Sequence, residues 1–193
     1  MIRIATENDL PAILEIYRPY VEQTTASFEY VTPSMDAFTH RFRQITERYP
    51  WLVWEENGAV LGYAYGSAPF ERAGYAWCAE VSIYIHRDHH GRGMGKKLYA
   101  ALEALLFEQG YQVLYAIVTD ENDSSIAFHL ATGYTQVAHL KNCAWKFGKN
   151  IGIVYLEKRG GFVSCPSKTP TPWRVFVEND GKIATILDKF TLS

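Results

Sequence analysis

Apolar side chains recur at helical spacing in some stretches of the chain and alternate at strand spacing in others. The helical spacing predicts a helix that begins after Thr6, a helix that begins at Thr32-Pro33 with Thr32 as cap, a helix over Lys96–Gln109 closed by Gly110, and a short helix over Ser124–Thr132. Alternating or compact apolar runs predict strands at Ile2–Ala5, Trp51–Glu56, Ala59–Gly66, Trp77–Ile85, Val113–Thr119, Tyr134–Leu140 and Ile151–Glu157.

The strands on either side of Asn57-Gly58 are predicted to pair as an antiparallel hairpin, because this dipeptide favours a tight turn with positive φ at both positions. An antiparallel region comes first, and a strand, a glycine turn, a helix and another strand follow it. This order predicts an α/β fold with a mixed sheet. We expect the domain to cover residues 1–160.

The composition changes where the predicted domain ends, and residues 161–193 are interpreted as an extension. Cys165–Pro172 is typical of an extended, proline-containing linker. Trp173–Glu178 and Lys182–Leu187 flank a turn signal at Asn179-Asp180-Gly181, which predicts a C-terminal hairpin that patches the core or a second subunit.

The composition narrows the functional class. The 193 residues carry a formal charge of −2, with 48% hydrophobic and 21% charged side chains, so a core is expected and a basic nucleic-acid-binding surface is not. The chain has no run of about 18 apolar residues, which excludes a membrane-spanning helix. It opens without an apolar secretory segment, and its cysteines are too scattered for a disulfide framework or a zinc site. We therefore expect a cytoplasmic protein without a metal.

The stretch between the strand that ends at Ile85 and the helix that starts at Lys96 contains Gly91, Gly93 and Gly95. Glycine lets the backbone curl and turn its amides inward, and the helix adds free N–H groups and a positive dipole end. Such a turn suits a pyrophosphate. The spacing fits neither a Walker loop nor a dinucleotide fingerprint, and by itself it is equally compatible with an ordinary tight turn.

The residues around this turn resemble a known family. His90-Gly91-Arg92-Gly93-Met94-Gly95 is similar to the motif Arg/Gln-x-x-Gly-x-Gly/Ala of the GNAT superfamily of acyl-CoA-dependent N-acyltransferases, with His90 as a departure. The resemblance is closest to the phosphinothricin acetyltransferase-like branch. It extends through Thr24–Glu29, Arg48–Val53, Arg72–Tyr84, Asn122–His129, Gly133-Tyr134 and Lys146–Gly148.

The resemblance implies a mixed, mostly antiparallel central sheet with a splayed strand pair and helices on both faces. It implies acetyl-CoA as co-substrate, with the pantetheine arm along the strand before the turn and the pyrophosphate in the turn. It also implies a homodimer. The residues it assigns to acetyl-CoA are Ile83, Tyr84, Ile85, Gly91, Arg92, Gly93, Met94, Gly95, Lys96 and Asn122.

Acetyl transfer to an amine needs a base, because an amine like that of lysine is almost entirely protonated at pH 7. Glu80 is our choice, since it precedes the cofactor-binding strand segment and its apolar neighbours should raise its pKa. The resemblance gives glutamate at this position the same role. His129 stands where many members of the family use a tyrosine as general acid, so it is predicted to donate a proton to the departing thiolate. Cys78 is rejected as a covalent nucleophile because Glu80 nearby would disfavour its thiolate.

For the acceptor, Arg72 is predicted to grip a carboxylate-like group, and Phe28, Tyr75 and Trp77 to wall a small pocket. The resemblance implies a small amino acid of the phosphinothricin or methionine sulfoximine type. It implies direct attack by the acceptor amine in a ternary complex.

Two positions depart from the branch. Its members usually carry a Trp and an Asp where this chain has Asn150 and Gly152, and the departure concerns the acceptor more than the acyl transfer. An acetyltransferase for protein or other amines and a non-catalytic acyl-CoA-binding protein remain the alternatives.

Overall fold

The elements of the fold separate an N-terminal antiparallel region from a later strand–helix–strand region. The computed structural model describes residues 1–161, 168–178 and 180–192. Its strands are β1 (Ile2–Ile4), β2 (Trp51–Glu56), β3 (Ala59–Ser67), β4 (Cys78–Ile85), β5 (Val113–Thr119), β6 (Thr135–Lys146) and β7 (Lys149–Arg159). Its helices are α1 (Leu10–Gln23), α2 (Met35–Thr46), α3 (Met94–Gln109), α4 (Asp123–Ala131), α5 (Trp173–Phe176) and α6 (Asp180–Leu192).

The strands form one seven-stranded sheet in the order β1-β2-β3-β4-β5-β7-β6. Neighbouring strands are antiparallel except β4 and β5, which are parallel. That pair is joined only from Cys78 to Glu80, although β4 continues to Ile85 and β5 to Thr119. The two strands therefore diverge beyond Glu80 and leave a gap in the sheet. The predicted mixed, mostly antiparallel sheet with a splayed strand pair is confirmed.

The core lies on both faces of this sheet. On one face α3 and α6 cover β1 to β5, and Leu98, Leu102 and Leu105 are fully buried there. On the other face α1 and α2 pack on aromatic side chains, with the ring centroids of Trp51 and Tyr63 5.9 Å apart. None of the described helices has the length and apolar content needed to cross a membrane. The cytoplasmic location stays a prediction.

Local sequence explains the turns that frame the sheet. Asn57 and Gly58 have φ angles of 52° and 79°, the left-handed conformation expected of the hairpin between β2 and β3. Gly110 closes α3 with a φ of 105°, as predicted. α2 begins later than predicted, at Met35, because the side chain of Ser34 accepts a hydrogen bond from the first helical turn.

The predicted C-terminal hairpin is wrong, since the residues assigned to it lie in helices α5 and α6. Trp173, Phe176, Ile183 and Leu187 are buried against the rest of the core. Their spacing of three or four residues is that of one helix face, and burial of that face outweighs the turn signal at Asn179-Asp180-Gly181. Asn179 lies outside the described residues, as does Cys165 of the predicted linker, and the domain boundary at residue 160 stays a prediction.

The edge strand β6 is longer than the predicted Tyr134–Leu140. It runs on to Lys146 through irregularities between Gln136 and Ala138 and between Leu140 and Ala144. Extra residues in an edge strand bend it and increase its twist. β6 is consequently a long, bent and exposed edge of the sheet.

Candidate active site

A cavity of about 820 Å³ opens where β4 and β5 diverge. Its walls are the separated parts of the two strands, the glycine turn with the start of α3, the end of α1 and the first turns of α4. Every residue that the sequence assigned to acetyl-CoA lies on this wall, as does His129. The structure thus brings together residues that span Ile83 to His129 along the chain.

The turn carries its positive φ angles at Gly91 (77°) and Gly93 (78°). Side chains rarely adopt this conformation, so the two glycines let the backbone curl around the cavity. Gly95 is not required in this way, because a Cβ there would make only ordinary contacts, 3.6 Å from the Ile85 side chain and 3.7 Å from that of Ile83. With Gly93 at the N-cap of α3, the free amides of the first helical turn are suited to bind an anion of the pyrophosphate type.

Two of the basic side chains near the turn are engaged elsewhere in the protein. His90, at the position that departs from the family motif, has Nε2 3.0 Å from the Ile85 carbonyl oxygen. Arg92 donates from Nη2 to Glu56 at 3.0 Å. His90 therefore ties the turn to the end of β4, whereas Arg92 shares its charge with a carboxylate. Lys96 lies on the cavity wall without such a partner among the described side chains.

The backbone of β4 presents hydrogen-bonding groups to the gap. His86 N–H donates to the Leu61 carbonyl at 2.8 Å, and hydrogen bonding alternates along an antiparallel pair. Val81, Ile83 and Ile85 therefore turn their N–H and C=O groups away from β3 and toward the gap. The same alternation directs the backbone of Tyr84 toward β3, so it favours Ile83 and Ile85 as the residues that pair with a pantetheine arm.

Glu80 lies at the fork of the splayed strands. It is the last β4 residue paired with β5, opposite Tyr115, and it also pairs with Ser67 of β3. Burial raises the pKa of its carboxyl group to about 7. A half-buried carboxylate with this pKa is suited to accept a proton near neutral pH. Burial also raises the pKa of the neighbouring Cys78 thiol, which makes that residue a poor nucleophile.

His129 is buried in the wall formed by α4. Its Nδ1 lies 2.7 Å from the Ser125 carbonyl oxygen and its Nε2 lies 2.8 Å from the Tyr99 hydroxyl. A carbonyl oxygen only accepts, so Nδ1 carries the proton, and Nε2 accepts from Tyr99. Burial lowers the pKa of His129, which keeps this ring neutral.

Asn122 combines a structural contact with its place on the cavity wall. Its side-chain oxygen accepts hydrogen bonds from the Ser125 N–H (3.1 Å) and from the Ser124 hydroxyl (3.0 Å). These contacts make it the N-cap of α4. The cap fixes the first turn of the helix at the edge of the cavity.

The residues predicted to bind the acceptor lie outside this cavity wall and are largely exposed. Tyr75 packs at a tilt against Phe70 with 4.6 Å between ring centroids, and the Phe70 ring centroid lies 6.0 Å from that of Tyr115, the residue paired with Glu80. Trp77 donates from its indole N–H to the Lys168 carbonyl at 3.0 Å, so its polar atom is held by the C-terminal extension.

Arg72 and Phe28 lie in two different loops. Arg72 precedes a short 3-10 turn and is exposed. Phe28 is 38% exposed in the loop between α1 and α2. The buried Lys146 holds that loop, because its ammonium group donates to the carbonyls of Val21 (2.6 Å) and Ser27 (2.5 Å).

Sequence reasoning missed three residues that shape the cavity. Tyr20 donates from its hydroxyl to the Ile85 carbonyl at 2.5 Å, and Tyr99 holds His129. The first contact joins α1 to the end of β4 and the second joins α3 to α4, so neither carried a local sequence signal. Ser125 lies on the cavity wall one helical turn before His129, and the i, i+4 spacing of a predicted helix signals such a pair.

The position of Gly152 explains why an aspartate is absent there. A Cβ at this position would lie 2.3 Å from Oδ2 of Asp120 and 2.8 Å from the Leu140 carbonyl oxygen. Asp120 accepts from the Gly152 N–H at 3.0 Å and contacts Nε2 of His139 at 2.9 Å. A carboxylate from β5's end thus fills the space that a side chain at 152 would need.

Comparisons with known proteins agree with this geometry. The model of the GNAT acetyltransferase domain family matches residues 2–154. Phosphinothricin N-acetyltransferase of Alcaligenes faecalis is 36% identical over 159 residues, 81% of each chain. L-methionine sulfoximine/L-methionine sulfone acetyltransferase of Salmonella typhimurium is 34% identical over 158 residues, 81% of this chain and 92% of that protein. A phosphinothricin acetyltransferase from Sinorhizobium meliloti, solved in complex with AcCoA, superposes with a TM-score of 0.82 and 34% identity over 89% of this chain and 92% of that one.

Proposed function

Because this chain belongs to the GNAT acetyltransferase family, we propose that it transfers the acetyl group of acetyl-CoA to the primary amine of a small, amino-acid-like acceptor by direct attack. Family membership makes it an N-acetyltransferase with acetyl-CoA as co-substrate. The acceptor class and the direct mechanism are the proposal. The observation that carries it is the place of Glu80 at the fork of β4 and β5, beside the cavity.

The cavity fits acetyl-CoA. The gap-facing N–H and C=O of Ile83 and the N–H of Ile85 suit the amide groups of a pantetheine arm, which needs both donors and acceptors, whereas the Ile85 carbonyl is bonded to Tyr20. Gly91 and Gly93 leave the space beside the turn free of side chains, and Lys96 adds positive charge there. We therefore assign the pyrophosphate to the turn and the pantetheine arm to the gap.

Glu80 is the proposed base. With a carboxyl pKa of about 7, it is substantially ionised at neutral pH and still basic enough to take a proton from an acceptor ammonium group. The freed amine nitrogen forms a bond to the thioester carbonyl carbon, and the C–S bond breaks with its electron pair on sulfur. A gap-facing N–H of β4 between Val81 and Ile83 is the proposed donor to the oxyanion.

His129 is proposed to act on the leaving-group side of the reaction. It is a neutral ring whose nitrogens are both hydrogen-bonded inside the protein, to the Ser125 carbonyl and to Tyr99. It therefore acts on the departing sulfur through a neighbouring group. The two protons that the acceptor ammonium gives up leave through Glu80 to solvent, and the thiolate takes up one proton in return.

The acceptor is proposed to lie on the side of Glu80 that faces Tyr115, Phe70 and Tyr75. Arg72 is the proposed partner of its carboxylate, since a guanidinium binds that group with two parallel hydrogen bonds. The acceptors named for the relatives, phosphinothricin and methionine sulfoximine or sulfone, motivate an acceptor of this type. Phe28 and Trp77 complete the proposed pocket wall.

We also propose that two copies of the chain associate through β6. This edge strand carries large apolar side chains that are exposed to solvent in the monomer, among them Leu140 (44% exposed) and Trp145 (62% exposed). Such exposure is unfavourable unless a partner covers it. A second copy of the same edge would cover them. Light scattering on the purified protein tests this association, and a change of Trp145 to glutamate is expected to yield monomers.

The function is tested by release of free thiol from acetyl-CoA in the presence of acceptor amines. The panel contains phosphinothricin, methionine sulfoximine, methionine sulfone, other amino acids, and a peptide with a free N-terminus. Turnover with the amino-acid analogues and not with the peptide is expected. Turnover with the peptide alone would favour the protein-amine alternative. Tight acetyl-CoA binding without turnover on any amine would favour a non-catalytic acyl-CoA-binding protein.

A further inference from the structure

Ser125 lies on the cavity wall in the first turn of α4, directly before the ring of His129. Its hydroxyl oxygen is 3.5 Å from Nδ1 of His129, and its own carbonyl is the main acceptor for the proton on Nδ1. Nδ1 is therefore a donor and cannot accept from the Ser125 hydroxyl. Among the described residues, the hydroxyl has no other hydrogen-bond partner.

A hydrogen bond from Tyr99 fixes the tautomer of His129. Tyr99 donates to Nε2 at 2.8 Å, and burial raises the pKa of the Tyr99 phenol, which keeps that proton in place. The proton of the ring consequently stays on Nδ1, on the side of Ser125. The Ser125 hydroxyl oxygen then faces the N–H at Nδ1 of His129, so the hydroxyl proton points away from the ring.

The neighbouring Ser124 shows the contrast. It also lies on the cavity wall, but its hydroxyl donates to the Asn122 side-chain oxygen at 3.0 Å. The two adjacent hydroxyls in one helical turn therefore differ in where their protons are directed. The Ser124 proton is used by the N-cap, whereas the Ser125 proton is available to a group in the cavity.

We propose that the Ser125 hydroxyl donates a hydrogen bond to the sulfur of CoA as the thioester breaks, with His129 as the positioning residue behind it. The C–S bond breaks with its electron pair on sulfur, and no proton leaves Ser125. The sulfur departs as a thiolate, stabilised by the hydroxyl and by the positive end of α4, and takes up its proton from solvent. This inference rests on the proposed acetyl transfer and names the donor at its leaving-group end.

The first test is kinetic. Ser125→Ala is expected to lower kcat by about tenfold or more, the usual loss for a hydrogen bond to a charged group, with little change in the KM of acetyl-CoA. Ser124→Ala is the matched control, and it is expected to retain kcat because its hydroxyl is used only in the cap. Equal losses in the two variants, or a loss confined to KM, would overturn the proposal.

The second test measures the sulfur itself without any turnover. The thiolate of bound CoA absorbs short-wavelength ultraviolet light more strongly than the thiol does, so a pH titration of the complex, taken as a difference from the free protein, gives the pKa of the CoA thiol. A hydrogen bond to the thiolate lowers this pKa, and Ser125→Ala should raise it while Ser124→Ala leaves it unchanged. Tyr99→Phe, which releases the His129 ring, should raise it by a smaller amount. An unchanged thiol pKa in Ser125→Ala would overturn the proposal.

These readouts separate the inference from the function on which it rests. CoA binding by the wild-type protein, measured by calorimetry, and turnover with the acceptor panel test the proposed function. If both succeed and Ser125→Ala behaves like the wild type in kcat and in thiol titration, only the role of Ser125 fails. If wild-type turnover is absent with every amine, the proposed function fails, whatever the thiol titration gives.

Discussion

The two sides of the active site differ in how they are built. On the acetyl-CoA side, the residues are mostly backbone positions in one continuous stretch of strand, turn and helix, and they all line one cavity. On the acceptor side, Phe28 comes from the loop between α1 and α2, and Arg72, Tyr75 and Trp77 come from the loop between β3 and β4. All four lie outside that cavity wall and are partly exposed. Glu80 is the point at which the two sides meet.

This difference shows that a site built from the backbone of adjacent residues can be predicted from local sequence, whereas a site built from separate side chains cannot. Positive φ at Gly91 and Gly93 and the start of α3 follow from a few adjacent residues. The direction of the Trp77 side chain, by contrast, depends on a distant partner, the Lys168 carbonyl that holds its indole. Substitutions can therefore be designed to affect one side and spare the other.

The largest effect is expected where the two sides meet. Glu80→Gln should lower kcat/KM by about a hundredfold or more, since it removes a general base. In the wild type the rate should rise with pH up to about 7, where the carboxyl ionises, and this dependence should disappear in the variant. Steady-state rates measured from about pH 5 to about pH 9, where we expect the protein to stay folded, test both effects.

The same variant has a consequence for stability. A carboxyl pKa raised from its ordinary value near 4.5 to about 7 means that the folded state holds its proton longer than the unfolded state does. Stability is then lost as the pH rises between these values. Glu80→Gln should therefore melt at a higher temperature than the wild type at pH 8, and the difference should vanish below about pH 4.5. Glu157→Gln is the control, and a lower Tm for Glu80→Gln at pH 8 would contradict the assignment.

A smaller effect, confined to the acceptor side, is expected at Arg72. Arg72→Ala should raise the acceptor KM about tenfold, by loss of hydrogen bonds to a carboxylate, and leave the KM of acetyl-CoA unchanged. Arg43→Ala, which breaks an exposed ion pair with Glu7, serves as the control. An unchanged acceptor KM in Arg72→Ala would remove this residue from the pocket.

The next effect is confined to the acetyl-CoA side. Gly93→Ala places a side chain at a φ of 78°, which costs about 1 kcal/mol and should weaken acetyl-CoA binding about fivefold. Gly58→Ala is the matched control, because Gly58 has nearly the same φ, 79°, in the hairpin between β2 and β3 and does not line the cavity. Calorimetric titration with acetyl-CoA compares the two variants. Equal affinities would show that the curl of the turn is unimportant for binding.

The smallest effect is expected at Trp77. Trp77→Phe keeps an aromatic wall but removes the hydrogen bond to the Lys168 carbonyl. We expect the free energy of unfolding to fall by about 1 kcal/mol and the acceptor KM to change less than about twofold. Denaturant unfolding and acceptor kinetics measure the two quantities. A large change in the acceptor KM would make Trp77 a direct acceptor contact.

The sequence predicted the sheet well where the signal was local. The Asn57-Gly58 hairpin and Val113–Thr119 were located correctly, because turn chemistry and a compact apolar run determine them. The C-terminal extension was mistaken for a hairpin although Ile183 and Leu187 have helical spacing. Its burial depends on α3, which lies far away in the sequence, and a turn signal outweighed the periodicity.

The same limit applies to the candidate site. The cavity residues could be named because a motif of adjacent residues carries them. The hydrogen bond from Tyr99 to His129 and that from Tyr20 to Ile85 join separate helices and strands, and they appear only when the chain is folded. Ser125 was visible in principle, at one helical turn from His129, but its free hydroxyl depends on the ring tautomer that Tyr99 sets.

The packing of α6 on β1 has a consequence for the time course of folding. The N–H of Ile2, in β1, donates to the Thr191 hydroxyl at 3.0 Å, near the end of α6. Contacts between residues so far apart form late, because a long loop must close first. During synthesis β1 is made long before α6, so the β1 edge of the sheet is completed only when α6 packs on it.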